Sequence, residues 1–563
     1  MKLETRWYLL CGLMFAAMPA LVSGEGGTGS EAEGWRSELY PMDWTPPGEE
    51  LNFYEDKIIQ DFSRSGYRGG LRMIPSIEGP VFQVTDAPFR ADVGGEEDST
   101  TAIQAAIDAA ASAGGGVIYL PAGTYRVAPQ EGQRAALTIR DSGVVLRGAG
   151  RDQTFIVNTS YQMRSREVIR VEGPEQESFF VDREPTVPIR RDLMGPTRSI
   201  PVVDTAAFSV GDRVVLRTDT TEEWVAEHNE PDWSGHTQLM SGLAYPRRVV
   251  AIDEEARRLE VDVPIRYAMK TRDNARVHLA VDAVMEVGLE HFSIGNVQHP
   301  GEGWENPDYT DPDKAAYDVH HAFLIAFDGA ENCWVDRVSS FRPESNSLAV
   351  HTLSNGIFLH HSRFITLSNV EMQRVQYGGW GGNGYTYRIQ DSADNLIIES
   401  LAAYNRHGFV FSHMATTGNV IHRSLDRQSG IAASGTADSS GSDHHMRFSH
   451  SNLVDQSTVE NSFFDARYRP YGSIPRHNIS AAHSVFWNIR GKGSKYTDII
   501  RTQQARYGYA IGTSGEVYNV YTLGNLPQTD PIDHVEGVGK GETLEPQSLY
   551  LDQLQRSIDP EKW

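Results

Sequence analysis

The sequence predicts an all-β solenoid, and three observations lead there. The 563 residues hold 52 glycines and 27 prolines, a density of turn formers that suits many short strands better than long helices. From residue 284 onward similar apolar units recur: GLEHFSI, NCWVDRV, FITLSNV, NLIIESL, NVIHRSL and STVENSF. Their last residues, Ile294, Val338, Val370, Leu401, Leu425 and Phe463, lie 44, 32, 31, 24 and 38 positions apart, so the shortest spacing reads as one bare coil and the others as coils carrying loops.

From the amino terminus, residues 1–24 read as a secretory signal, with Lys2 and Arg6 ahead of an apolar run that starts at Trp7 and closes in small residues at Gly24. The run is shorter than the ~20 residues of a membrane span and is broken by Pro19, which argues for cleavage and a secreted or periplasmic product. Residues 25–81 mix Gly, Pro, Ser and acids and read as an extension without a core of its own. Residues 82–159 open the solenoid. A capping box at Thr101 and Gln104, with Ile103, Ala106, Ile107 and Ala110 at helical spacing, predicts one helix over 101–113. Gly114, Gly115 and Gly116 stop it, and strands follow at 117–120, 137–139 and 144–146. Residues 160–283 break the pattern with a turn at Gly211, a strand over 213–216 and a hairpin near Asp253, and read as an inserted small β-domain. Residues 284–520 form the main solenoid and 521–563 a tail. Asn332, Asn395 and Asn419 recur at the first position of the repeated unit, where stacked amides bond from coil to coil.

The string FRADVGGEEDSTTAIQAAIDAAASAGGGVIYLPAGTYRV and the later GVVLRGAGRDQT, within residues 89–157, resemble the opening of the pectate-lyase-like superfamily. That resemblance implies a right-handed parallel β-helix whose open end is capped by the helix. Lyases, glycosidases, epimerases and phage tailspikes share this opening, so it implies a fold and leaves the chemistry open. The paired-aspartate and Gly-His-Gly strings of polygalacturonase-type glycosidases are absent, as is the Tyr-Gly-x-Asp-Pro-His string of alginate epimerases. No catalytic residue is therefore carried over by motif.

The net charge of -24 argues against nucleic acid and acidic membrane surfaces as partners, since both need a basic footprint. Residues 467–506 stand apart, with eight basic residues against the single acid Asp498, and suggest a groove for an anionic polysaccharide. Beyond the signal the only cysteine is Cys333, in an apolar string, so no internal disulfide forms and a monomer is expected. Thirteen of the 19 histidines fall between His320 and His483. Within that stretch Arg406 and His407, then His444, His445 and Arg447, and finally His477 form the candidate catalytic set. Arginine would neutralise a uronate carboxylate, histidine would take the acidified proton, and a tyrosine or histidine would protonate the leaving oxygen. Trp380 and Tyr385 in a glycine-rich segment, Tyr468, Arg469 and Tyr471 in RYRPYG, and Arg476 are candidates for holding the sugars. No metal ligands are assigned, because neighbours such as His360–His361 and His444–His445 point to opposite faces of a strand; calcium is left open. The expected function is a polysaccharide lyase acting by β-elimination. A glycoside hydrolase using two of Asp438, Asp443, Asp455 and Asp465, and a non-catalytic carbohydrate-binding envelope protein, are the alternatives.

Overall fold

The computed structural model describes residues 34–558 apart from 175–178, 439–440 and 525, so the segment read as a secretory signal lies outside the described residues. The chain winds as a right-handed parallel β-helix of three sheets. One sheet stacks Gly288–Glu290, Trp334–Asp336, Thr366–Ser368, Leu396–Ile398, Val420–His422 and Leu453–Asp455. A one-residue corner in left-handed conformation leads to the second sheet in each coil; the corner residues His291, Arg337, Asn369, Glu399, Arg423 and Gln456 have φ of 47 to 59°. The third sheet stacks Phe323–Asp328, Asn355–His360, Tyr385–Gln390, His407–Ser412, Ser442–Met446 and Phe464–Ala466. Inward side chains such as Ile294, Leu367, Ile397, Ile421, Ile389 and Phe411 form one continuous core.

The ladder corrects the repeat alignment. Gly288 pairs with Trp334, Trp334 with Thr366, Thr366 with Leu396, Leu396 with Val420 and Val420 with Leu453, steps of 46, 32, 30, 24 and 33 residues. NLIIESL and NVIHRSL align as read, whereas STVENSF belongs to the second sheet, where Thr458 pairs with Leu425. Both sheets alternate apolar and polar residues with the same period, so the pattern alone does not tell one face from the next. The amide stack runs through Asn395, Asn419 and Asn452, each link 2.9 Å long. Asn332 is not part of it; its side-chain oxygen instead accepts from Arg68 N of the amino-terminal segment.

Thr100–Ser112 is helical and covers the open end of the solenoid with Ile103, Ala106, Ile107 and Ala110. The capping box does not form. Ser99 is the residue before the helix, its hydroxyl is engaged with Asp92, and Gln104 pairs in two hydrogen bonds with the backbone of Thr138. Gly115, at φ +118°, lies so close to Gly143 that a Cβ would come within 2.8 Å of its carbonyl oxygen, which explains the glycine there.

Between the third-sheet strand Glu167–Glu172 and the first-sheet strand Gly288–Glu290 the chain leaves the solenoid. It builds a six-stranded antiparallel sheet from Thr186–Pro188, Ser199–Pro201, Arg213–Arg217, Ala244–Asp253, Arg258–Val261 and Arg276–Leu279. A bridge between Ile189 and Val202 joins its two edge strands and closes it into a small barrel with its own core. Asp394, fully buried at a solenoid corner, holds this barrel through Arg247 (3.1 Å) and Arg266 (3.2 Å), and also meets Arg363 (3.3 Å). The segment after residue 34 packs on the outside of the solenoid: Tyr40, Trp44, Ile59 and Phe62 lie against Val420, Leu453, Val485 and Trp487, together with Leu549 and Tyr550 of the carboxy-terminal helix Leu549–Ile558.

Candidate functional site

The third sheet gathers the densest chemistry. Asp443 and His445 stand on Ser442–Met446, His407 opens the neighbouring strand, and Tyr385 pairs with His407 one coil further back. Asp443 Oδ2 is the hub. It lies 3.0 Å from His445 Nδ1, 3.3 Å from His407 Nδ1 and 2.7 Å from Arg469 Nη1.

These contacts set the tautomers. His407 Nδ1 is 2.9 Å from the carbonyl oxygen of Gly441, which can only accept, so Nδ1 carries the proton. His407 Nε2 then bears a lone pair, and it is buried with no hydrogen-bond partner. His445 Nδ1 donates to Asp443, leaving its Nε2 to accept from the Tyr385 hydroxyl at 2.9 Å. Burial drives the pKa of both imidazoles well below the usual histidine range and raises that of Tyr385, so two neutral histidines and a neutral phenol stand together at neutral pH. His477 packs on His445 with ring centres 4.8 Å apart, and desolvation, helped by Arg469, lowers its pKa to about 4.

Sequence reasoning missed Arg388. It is only 8% exposed, yet among the described residues no carboxylate pairs with it. Its guanidinium rests 5.2 Å from the Phe358 ring centre and 5.6 Å from that of Tyr385, and burial lowers its pKa. Arg406 likewise has no carboxylate partner among the described residues; it donates to Gly379 O and stands 6.0 Å from the Tyr385 ring. With Arg467 and Arg469, which share Asp465 and Asp443, the site holds four guanidiniums to two carboxylates. That excess favours an anionic ligand. The only sequence signal for Arg388 is a lone charge inside an otherwise uncharged strand, YTYRIQ.

The other candidates lie elsewhere. His444 turns inward, 4.8 Å from Phe411 by ring centres, with Nδ1 on Ser449. Arg447 follows the strand and lines a cleft at its far end. Tyr468 packs on the barrel core and donates to Glu230, and Arg476 faces Asp232 at 3.5 Å. Tyr471 is exposed beside His477, with ring centres 5.6 Å apart. Trp380 is half exposed and donates to Asp438. Its glycine-rich loop is tied down by Asn383, which accepts from His321 N and Ser354, and by Tyr377, whose hydroxyl reaches Asn306 O. Nor do residues 467–506 form one basic band, since Arg501 pairs with Asp498 and Arg506 stacks on Tyr54.

Two clusters of three metal-ligating side chains occur among the described residues, His407–Asp443–His445 and Asp328–His360–His361. Each carries two imidazoles, unlike the oxygen cage that calcium takes. In the first, Arg469 sits on Asp443 Oδ2, the very oxygen that both imidazoles reach, which disfavours a cation there; in the second, the oxygen that both imidazoles reach is Asp328 Oδ1, and Arg170 takes the other one. The strand-alternation argument holds for His444 and His445, which face opposite sides. It fails for His360 and His361: His361 lies past the strand end at φ +43°, and both rings turn toward Asp328.

The winding and the composition of the sheets define a right-handed parallel β-helix protein. Residues 81–180 match the family described as rhamnogalacturonase A/epimerase, pectate lyase-like. The chain is 36% identical over 150 residues to mannuronan C5-epimerase AlgE3 of Azotobacter vinelandii, covering 26% of this chain and 8% of the relative. It is 52% identical over 69 residues to alginate lyase 7 of the same organism, covering 12% and 8%. The chain thus spans less than a tenth of the length of these two curated relatives. The A-module of the epimerase AlgE6 aligns with 83% of the chain and 99% of its own length at 14% identity and a TM-score of 0.33.

Proposed function

We propose that the protein is a polysaccharide lyase that cleaves an acidic, uronate-containing glycan by β-elimination outside the cytoplasm. The observation that carries this reading is the pair Arg388 and Arg406, guanidiniums without a carboxylate partner among the described residues, beside a neutral histidine with a free lone pair. A uronate carboxylate placed between Arg388 and Arg406 is neutralised, and the adjacent C5 proton becomes acidic. His407 Nε2 takes that proton. The electron pair left on C5 forms the C4–C5 double bond and expels the glycosidic oxygen, to which Tyr385 gives its hydroxyl proton. Asp443 holds His407 and His445 in the required tautomers, a positioning role.

Hydrolysis is disfavoured because it needs one carboxyl kept protonated across the groove from a carboxylate. Asp443 and Asp465 both pair with Arg469; although burial opposes it, Arg469 and Arg467 hold Asp465 below the usual carboxylate range. Asp438 is bound to Trp380, and Asp455 bonds to His422 on another sheet.

Epimerisation is the second reading, favoured by the short matches to mannuronan C5-epimerases. It begins with the same proton abstraction and ends with reprotonation of C5 from the other face. A panel of uronate glycans incubated in deuterium oxide separates the outcomes. A lyase yields unsaturated, ultraviolet-absorbing ends; an epimerase yields deuterium at C5 with intact chains. New reducing ends with neither sign would refute the proposal in favour of hydrolysis, and no change on any glycan would favour a binding protein.

A further inference from the structure

A second cluster lies at the far end of the same sheet, outside the machinery just described. Asp328 ends Phe323–Asp328 and pairs across the coil with His360, the last residue of Asn355–His360. Asp328 Oδ1 is 3.1 Å from His360 Nδ1 and 3.5 Å from His361 Nδ1, and the two imidazole centres are 3.7 Å apart. Two neighbouring residues reach one oxygen because the left-handed corner at His361 cancels the alternation of the strand.

We propose that Asp328, His360 and His361 hold a divalent transition-metal ion. Ligand bonds of ~2.0–2.2 Å in a tetrahedral shell place donor atoms about 3.3–3.6 Å apart; the 3.5 Å separation to His361 lies within that range and the 3.1 Å separation to His360 is slightly shorter, a small rotation of one ring away. Two imidazole nitrogens with one carboxylate oxygen suit zinc or a related first-row ion and do not suit calcium. The outer contacts are those of a ligand set held in place. Arg170, itself flanked by Glu167 and Glu172, binds the other oxygen of Asp328 at 2.7 Å, while Phe358 stacks on His360 and the Phe179 and Phe180 rings meet His361 edge-on.

The ion would face open space. His360 and His361 line a cleft of about 460 Å³ where the barrel meets the solenoid, with Arg217, Met240, His413 and Arg447 on its other walls. Three protein ligands and a fourth position opening on a cleft are the arrangement of a site that takes water or an oxygen-bearing ligand. The opposing wall carries a second pair, His413 on Asp391 at 3.0 Å. This inference does not rest on the proposed lyase reaction.

Zinc binding to the chelator-treated full chain tests it by calorimetry, with cobalt absorption reporting the coordination. One equivalent should bind at micromolar affinity or tighter. His361→Gln and His360→Gln should each weaken binding by about 100-fold or more, since even outer contacts of metal sites cost 10–100-fold. Asp443→Asn should leave it unchanged. Melting of each variant without metal shows whether it is folded, and whichever histidine variant melts like the parent decides the outcome. No binding by the parent chain, binding unaffected in a folded histidine variant, or loss in Asp443→Asn alone would each overturn the proposal.

Discussion

Replacing Arg388 with methionine should make the protein more stable and the enzyme worse. The side chain is 8% exposed and has no carboxylate partner among the described residues, so folding desolvates a full charge with only the faces of Phe358 and Tyr385 in return. Methionine keeps the aliphatic packing on Phe358 and removes the charge, which should raise unfolding free energy by ~1–3 kcal/mol. Arg388 in its proposed role forms a charge-assisted contact with the substrate carboxylate. Losing that contact costs ~2–4 kcal/mol, or roughly 30- to 900-fold in kcat/KM at 1.36 kcal/mol per tenfold. Denaturant unfolding gives the first quantity and initial rates on a uronate glycan the second. A variant that is less stable and fully active would show that Arg388 is a packing residue, and the proposed carboxylate site would fall with it.

Tyr385→Phe removes the proton donor and the hydroxyl on His445, and should lower turnover by ~10²–10⁴ with KM little changed, measured by steady-state kinetics. Asp394→Asn strips the shared carboxylate from Arg247, Arg266 and Arg363, all nearly or fully buried, and should cost ~3–5 kcal/mol in thermal or denaturant unfolding. Glu230 offers a pH test. Desolvation outweighs its bonds from Ile479 N, Asn478 and Tyr468 and raises its pKa to about 8 from 4.5. The folded state therefore holds that proton more tightly than the unfolded chain. Its contribution, at most ~5 kcal/mol, is complete below pH 4.5 and lost as pH rises through about 8. Glu230→Gln should flatten that part of the stability profile; an unchanged slope would count against the assignment.

Much of the fold was legible because its signals are local. The helix and its glycine stop, the bare coil of 24 residues between Leu401 and Leu425, and the break that becomes the barrel each show within a short window. Register was less so, as the five-residue slip at STVENSF shows, because all faces of a β-helix share one period. The grouping of the candidate site was partly legible: His407, His445 and His477, read as acid–base groups, meet Tyr385 and Arg469, read as sugar contacts from two other segments. Arg388 escaped because a lone charge in a strand looks like any solvated residue until its neighbours are known. His360 and His361 escaped for a different reason, since a single left-handed residue shifts the phase of the side chains by one.

The burial of the proposed base and acid has a kinetic consequence. His407 and Tyr385 are at most 1% exposed, and the loops 377–384 and 469–477 adjoin them, the first through His407 N on Gly384 O and the second through Arg469 on Asp443 and His477 on His445. On the proposed reaction, a glycan meets them only in a conformation where those loops have parted. If that conformation holds a fraction f of the molecules, the apparent dissociation constant is the intrinsic one divided by f, so ~1% opening weakens binding ~100-fold. Loosening Trp380 from Asp438, or Tyr377 from Asn306, therefore acts on the same quantity as the cations that grip the sugar, and loop anchors far from the reacting atoms become determinants of KM.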